Sequence, residues 1–466
     1  MGGVFGVASH GNCILDLFYG TDYHSHLGTM RGGMAVCDGN KLNRIIHNIT
    51  NAQFRSKFEG ELASMQGSSG IGVISDFEDQ PLIIASHLGV YAIVTVGVVK
   101  NLEKLTKQAY QHKITHFSEM NGGQLNPTEV IATLINQGSS FAEGINIVQE
   151  NIEGSCTLLL LCQDGIYAAR DKYGRTPLVI GKKDGTFAVS SETCAFPNLD
   201  FQVEKYLGPG EIVHITADKM ETIQKARKTL RICSFLWIYY GYPSSSYEGI
   251  NVEDVRNRCG AALARQEKEK IDYVAGIPDS GSGHAIGFAA EAGLPYKRPF
   301  VKYTPTWPRS FMPQDQAVRN LVATMKLLPI KEFIQDKSLL FCEDSIVRGT
   351  QLKFTIERLF RLGAKAVHMR PACPPLIFGC RFLNFSRSAS DLDLIARKTI
   401  QELEGANDLH LDEYTKAGTD RHQRMVAAIN KKLGFTSLRY QQLADMVKAI
   451  GLAKDKLCTY CWDGIG

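Results

Sequence analysis

A chain of 466 residues with a formal net charge of +4 and 21% charged residues has length for two or three domains and lacks the basic footprint of a nucleic-acid binder. It contains no run of like charges, no apolar stretch of about 18 residues and no basic-then-apolar leader at its start, so a soluble cytoplasmic protein with no membrane contact is expected. Twelve cysteines are too sparse here for a disulfide framework, and the question they raise is which of them bind metal.

From Gly2 to about Leu230 the pattern is β-rich. Ile71 to Ser75, Pro81 to Val98, Cys156 to Cys162 and Thr186 to Ser190 read as strands, separated by turn signals such as Asp164-Gly165 and Asp184-Gly185. Asn126 reads as an N-cap with Pro127 in the first turn, and Thr128 to Ile135 continues the helix. Packed sheets flanked by helices would bury these segments. Near Arg231 the rhythm changes, which places a domain boundary between 230 and 231. Val252 to Lys268 and His284 to Ala292 read as helices around a strand at Tyr273 to Ile277. Strand Ser338 to Cys342 and helix Gln351 to Leu362 repeat that order, as in a doubly wound parallel sheet.

Between that last strand and helix stand two acids, Glu343 and Asp344, and a polar turn, Ser345 to Thr350. In an open α/β sheet this is the carboxyl end of a strand, where ligands bind. Loop N–H groups, the Ser345 and Thr350 hydroxyls and a helix N-terminus together suit a phosphate ester. Carboxylates beside a phosphate make sense if they take ribose hydroxyls or a Mg²⁺; the competing reading is a generic crossing with solvated acids. Upstream, Gly276-Ile277-Pro278-Asp279-Ser280 followed by Gly281-Ser282-Gly283 is, read alone, a turn and helix start.

The block SLLFCEDSIVRGT resembles the phosphoribosyl pyrophosphate (PRPP) signature of type I phosphoribosyltransferases, above all the amidophosphoribosyltransferases, where two aspartates commonly precede the same loop. Here Glu343 stands for the first. The resemblance implies that Glu343 and Asp344 hold the ribose hydroxyls and the Mg²⁺ side, that Ser345, Ile346, Val347, Arg348, Gly349 and Thr350 hold the 5-phosphate, and that Asp279 and Ser280 form the pyrophosphate loop, with Ser280 near Mg²⁺. It also implies a mobile lid over Lys302 to Met312, in which Lys302, Arg309 and Phe311 match, Ser310 replaces a threonine, and Lys326 follows on the next helix. Arg309 and Lys326 are thereby candidate catalytic cations for the departing pyrophosphate. Pro305, Pro308 and Thr324 depart from that pattern, so a proline-bearing surface loop is the competing reading.

Gly3 to Val7, Arg170-Asp171 with Gly174-Arg175-Thr176-Pro177-Leu178, and Ser191 to Phe196 resemble the class II glutamine amidotransferase domain. The implied fold is an α+β N-terminal-nucleophile-hydrolase-like αββα sandwich at 1–230, followed by an α/β type I phosphoribosyltransferase domain at 231–466. Yet the family's glutaminase groups are replaced: the nucleophilic cysteine by Gly2, the carboxylate-binding arginine by Ser75, the oxyanion asparagine by Val96 and the amine-binding aspartate by Pro127. A thiol nucleophile there uses its own α-amine as base, which an internal Cys13 cannot do, although His10 is close in sequence. Glutamine hydrolysis is expected to be absent, and Cys13 to be an ordinary buried cysteine.

Cys458 and Cys461 form a CxxC, compatible by itself with zinc or a redox pair. With Cys233 and Cys380 they match the ligands of a [4Fe–4S] cluster in one branch of the family, with zinc as the competing occupant. Cys37, Cys156, Cys162, Cys194, Cys259, Cys342 and Cys373 are expected to pack in cores. The resemblance implies an enzyme of purine synthesis that makes 5-phosphoribosylamine from PRPP with ammonia instead of glutamine, as a homodimer or homotetramer with purine nucleotides as further ligands. The alternative is a PRPP- or nucleotide-sensing pseudoenzyme that regulates other subunits.

Overall fold

The computed structural model describes residues 2–39, 41–111, 117, 120–121, 124–303, 327–383 and 390–466. The first half is a sandwich of two antiparallel sheets. One has seven strands, in the order Gln202–Tyr206, Val179–Lys183, Thr186–Ser190, Gly3–Ser9, Ser69–Ser75, Arg31–Asp38, Lys41–Asn48. The other has six, in the order Met220–Gln224, Ile212–Ile215, Gly165–Ala169, Gly154–Cys162, Gly89–Val99, Leu82–Ser86.

Side chains alternate across a strand, and both faces here are apolar because each sheet is covered twice. Val4, Ala8, Val73, Leu159 and Leu161 fill the space between the sheets. Phe5 and Val7 turn the other way and meet Leu17 and Phe18 of helix Ile14–Asp22. Leu158 and Leu160 likewise meet Val130, Ile131 and Ile145 of helices Pro127–Ile135 and Phe141–Asn151. The αββα sandwich expected from the sequence is therefore present. Asn126 caps its helix by accepting the Thr128 N–H at 3.0 Å.

One difference is instructive. The apolar run Pro81 to Val98 is two strands, folded back where Ser86 pairs with Gly89. Gly89 supplies a φ of +102°, a conformation that favours glycine.

The second half is built on a parallel sheet, Tyr273–Gly276, Ser338–Glu343, Ala366–Pro371 and Ser437–Leu438, adjacent in chain order. Helices Val252–Ala264 and Ser282–Ala292 pack through glycines: a Cβ on Gly260 would lie 1.9 Å from the His284 carbonyl oxygen, and one on Gly287 2.0 Å from that of Asn257. The first helix ends short of Lys268 because Glu267 turns back to Arg370, 2.7 Å away, and to Arg439, at 3.1 Å.

The sandwich strands all fall within residues 3–224 and the parallel sheet within 273–438, but the apolar core runs through both halves, from Val4 and Leu161 by way of Ile232 and Trp237 to Val252 and Cys342. A polar joint accompanies it. The buried Glu192 carboxylate accepts from Tyr247 Oη at 2.5 Å and Ser245 Oγ at 2.9 Å, and lies 3.1 Å from His26 Nε2. Burial alone would raise the Glu192 carboxyl; His26 and the Tyr247 hydroxyl outweigh it and hold the group at about 2. Among the described residues no helix is long and apolar enough to cross a membrane.

Candidate functional site

The two loops singled out in the sequence meet at the carboxyl ends of adjacent parallel strands. Strand Tyr273–Gly276 leads into a turn pressed against strand Ser338–Glu343. Ile277 N–H donates to the Cys342 carbonyl at 3.0 Å, and a Cβ on Gly281 would sit 2.3 Å from that oxygen. Only glycine allows so close an approach, which delivers Ser280 to the acids: its Oγ donates to Glu343 Oε1 at 3.3 Å. The Pro278–Asp279 peptide is cis. Lys302, at the end of strand Phe300–Lys302, reaches Asp279 Oδ2 at 2.6 Å.

Glu343 and Asp344 are only 9% and 5% exposed. Asp344 Oδ1 accepts from Ser345 Oγ at 2.5 Å, and Glu343 Oε1 also accepts the Asp344 N–H at 3.2 Å. Burial first, and the adjacent Asp344 second, push the Glu343 carboxyl well above the usual carboxylate range. A cation or ligand hydroxyl placed there would relieve that repulsion.

The following turn is anchored from below. Ile346 is buried with Ile395 and Leu433, and the Val347 carbonyl accepts from Ile395 N–H at 2.8 Å. Gly349 has a φ of +74°, and a Cβ there would lie 2.8 Å from Leu433 Cδ2 and 2.9 Å from Ile395 Cδ1, so both backbone and space require glycine. The backbone N–H groups of Ser345, Ile346 and Val347 donate to no acceptor among the described residues, and helix Thr350–Arg361 begins immediately after. Open donors ahead of a helix N-terminus suit an anion. Arg348 turns to Asp393, 3.4 Å away. Thus the structure brings Asp279, Ser280, Lys302, Glu343, Asp344 and residues 345–350 together at the ends of these strands. Arg309 and Lys326, with Pro305, Pro308, Ser310, Phe311 and Thr324, lie outside the described residues.

Of the four positions where the sequence departs from the glutaminase pattern, Gly2, Ser75 and Pro127 lie around residues 74–79, and Val96 lies in the core. A Cβ on Gly2 would lie 2.2 Å from the Ile74 carbonyl oxygen and 3.3 Å from Ser75 Cα. Ser75 Oγ lies 3.0 Å from the Glu78 carbonyl and 3.1 Å from Glu78 Oε2, and accepts the Glu78 N–H at 3.1 Å. Burial raises the Glu78 carboxyl above its ordinary value. Val96 is buried in the inter-sheet core opposite Thr157. Pro127 opens its helix beside Asn126, whose Nδ2 donates to the Asp79 carbonyl at 3.0 Å. Glu78 was not marked by any sequence signal, because only the fold turns its carboxylate back onto Ser75. Cys13 is buried with its thiol pushed up to about 12, largely by that burial, while exposed His10 faces Asp218 at 3.1 Å.

Cys233, Cys380, Cys458 and Cys461 line a single small cavity together with Arg175, Phe382 and Trp462. Strand Ile232–Cys233 pairs in parallel with Leu457–Cys458, and Ser234 Oγ donates to the Cys458 carbonyl at 3.0 Å. The Cys461 carbonyl accepts from Ile377 and Phe378 N–H at 2.9 and 3.1 Å, which brings in the segment bearing Cys380. The Cys461 thiol is raised by its contact with Cys380 and then by burial; burial raises those of Cys233 and Cys458. No three metal-ligating side chains among the described residues converge tightly enough to hold a single ion. Four thiols around one small space have the donor chemistry that suits a thiolate-held centre. All other cysteines are buried and free, and Arg175 is the residue of this site that sequence reasoning missed.

The chain is similar to known proteins in sequence and in fold. A glutamine amidotransferase domain family matches residues 69–198. The chain is 29% identical to an amidophosphoribosyltransferase of Methanocaldococcus jannaschii, over 100% of this chain and 97% of that one. It is 30% identical to one of Archaeoglobus fulgidus over 70% of each. In three dimensions it resembles the glutamine PRPP amidotransferase of Bacillus subtilis, solved with ADP and GMP, with a TM-score of 0.85 at 27% identity, covering 99% of this chain and 96% of that one. With both halves matched, in this order and over its whole length, the chain belongs to the amidophosphoribosyltransferase family.

Proposed function

We propose that this chain catalyses the phosphoribosyl transfer of purine synthesis with ammonia, not glutamine, as nitrogen donor. Ammonia attacks the anomeric carbon of PRPP as the bond to pyrophosphate oxygen breaks, giving 5-phosphoribosylamine, pyrophosphate and a proton. The observation that carries this reading is the contrast between a glycine turn that holds Ser280, Glu343 and Asp344 together and a Gly2 position with no room for a side chain.

In this reading residues 345–350 bind the 5-phosphate through backbone N–H and hydroxyl donors. Glu343 and Asp344 accept the ribose hydroxyls and place negative charge beside a ribose that becomes cationic as the leaving group departs. Asp279 and Ser280 border the pyrophosphate, and Lys302 exchanges its Asp279 partner for that anion, with Arg309 and Lys326 as further cations. Mg²⁺, held on the Ser280, Glu343 and Asp344 side, would neutralise the pyrophosphate. Cys233, Cys380, Cys458 and Cys461 would hold a [4Fe–4S] cluster that ties the carboxyl-terminal segment to the domain junction, with zinc as the competing occupant. A homo-oligomer in the cytoplasm, with purine nucleotides as additional ligands, completes the reading.

The second reading, a PRPP- or nucleotide-binding pseudoenzyme with a regulatory role, uses the same loops and is favoured by Pro305, Pro308 and Thr324 in the lid sequence. Anaerobic assay of pyrophosphate release from PRPP separates the two. Release with ammonium and none with glutamine is the expected result. Binding without turnover supports the pseudoenzyme, and release driven by glutamine overturns the account of the first half.

A further inference from the structure

The cavity shared by the four cysteines is lined by one side chain that none of the chemistry above uses. Arg175 is only 4% exposed, and its Nε and Nη1 are buried without a hydrogen-bond partner. A buried guanidinium with unused donors is costly, and this one already meets the Cys458 thiol. Its position is fixed from both sides: the Arg175 carbonyl accepts the Cys233 N–H at 3.2 Å, the Tyr173 carbonyl accepts the Arg231 N–H at 2.7 Å, and the guanidinium lies 3.5 Å from the centre of the Phe382 ring. Among the described residues it is the only ionised side chain lining the cavity.

Four metal-bound thiolates would bring negative charge into this closed, apolar space, where an uncompensated charge is expensive. We propose that Arg175 is the counter-charge of the cysteine centre, a positioning residue that donates its free N–H groups to the thiolate sulfurs and the bound cluster; this rests on the metal reading of those cysteines. The cation comes from the glutaminase-like half, whereas the thiols come from the junction and the second half. The degenerate domain thereby keeps a task unrelated to glutamine. Phe382, two residues from Cys380, holds the flat face of the guanidinium and leaves its edges for hydrogen bonds.

The test compares wild type, Arg175→Met and Arg175→Lys as full chains purified without oxygen. Iron and acid-labile sulfide per chain, the rate of iron transfer to a chelator, and the midpoint potential in a dithionite titration followed by electron paramagnetic resonance are measured. Loss of a cation beside the centre disfavours the added electron, so Arg175→Met should have a more negative potential and release iron about 10- to 100-fold faster, the usual effect of removing an outer partner. Arg175→Lys should recover part of both, which a purely structural role would not give for the potential. If Arg175→Met is insoluble, Arg175→Gln carries the same comparison. Iron-loaded wild type with an Arg175→Met variant of unchanged potential and iron retention overturns the role of Arg175 and leaves the metal reading standing. Wild type free of iron and sulfide overturns the cluster reading, and the counter-charge with it.

Discussion

The two candidate catalytic centres differ in what their glycines do. At the transferase centre, Gly281 and Gly349 bring backbone and hydroxyl groups up to the space beside Glu343 and Asp344. At the amino-terminal centre, Gly2 lets one strand end close onto Ile74 and Ser75, and Glu78 folds back onto Ser75 where a ligand-binding arginine is expected. In the reading proposed above, the same residue type prepares one site and seals the other. The αββα sandwich does not depend on glutamine chemistry for its stability: its covering helices are held by cores of the first half, and the core between its sheets extends into the second half.

The comparison is broken most sharply at Asp344. Asp344→Ala removes one of the two carboxylates of the acidic pair, and ammonium-driven pyrophosphate release should fall about 100-fold or more; an unchanged rate would remove Asp344 from the chemistry. Gly349→Val adds a side chain at a positive φ and against Leu433 and Ile395. It should cost about 2–3 kcal/mol of stability, seen as a lower unfolding midpoint with weaker PRPP binding.

The joint between the halves yields a pH-dependent prediction. The Glu192 carboxyl is held at about 2 in the folded chain, below its unfolded value of about 4.3. Its stabilising contribution is therefore present above about pH 4.3 and is lost as pH falls through the folded value. Glu192→Gln should cost about 3 kcal/mol at pH 7 in denaturant titration, and the difference from wild type should shrink as pH falls towards 3. Lys302→Ala should raise the KM for PRPP by about tenfold with less effect on kcat. Gly2→Cys should have the smallest effect of all: glutamine-driven release stays at background, since the clash with Ile74 and the Ser75–Glu78 contact both remain.

Much of this was legible in the sequence where the signal is local. Strand Ser338–Glu343 and the helix after it follow from apolar run and helical spacing, and the Asn126-Pro127 start from cap chemistry. Tertiary causes were not legible. The end of helix Val252–Ala264 depends on Glu267 meeting Arg370, about one hundred positions away. The turn inside Pro81 to Val98 was hidden by continuous apolar residues, although Gly89 marks it. The cysteines could be grouped only by resemblance, since the parallel pairing of Cys233 with Cys458 leaves no periodic trace. Arg175 and Glu78 act through neighbours that the fold alone supplies.

Calorimetric titration of the same purified chain with PRPP in the presence of Mg²⁺, and separately with glutamine, addresses the contrast between the two centres most directly. Saturable binding of PRPP that is lost in Asp344→Ala, with no heat from glutamine, is the predicted result. Saturable glutamine binding, or a chain that takes up no PRPP, would contradict it.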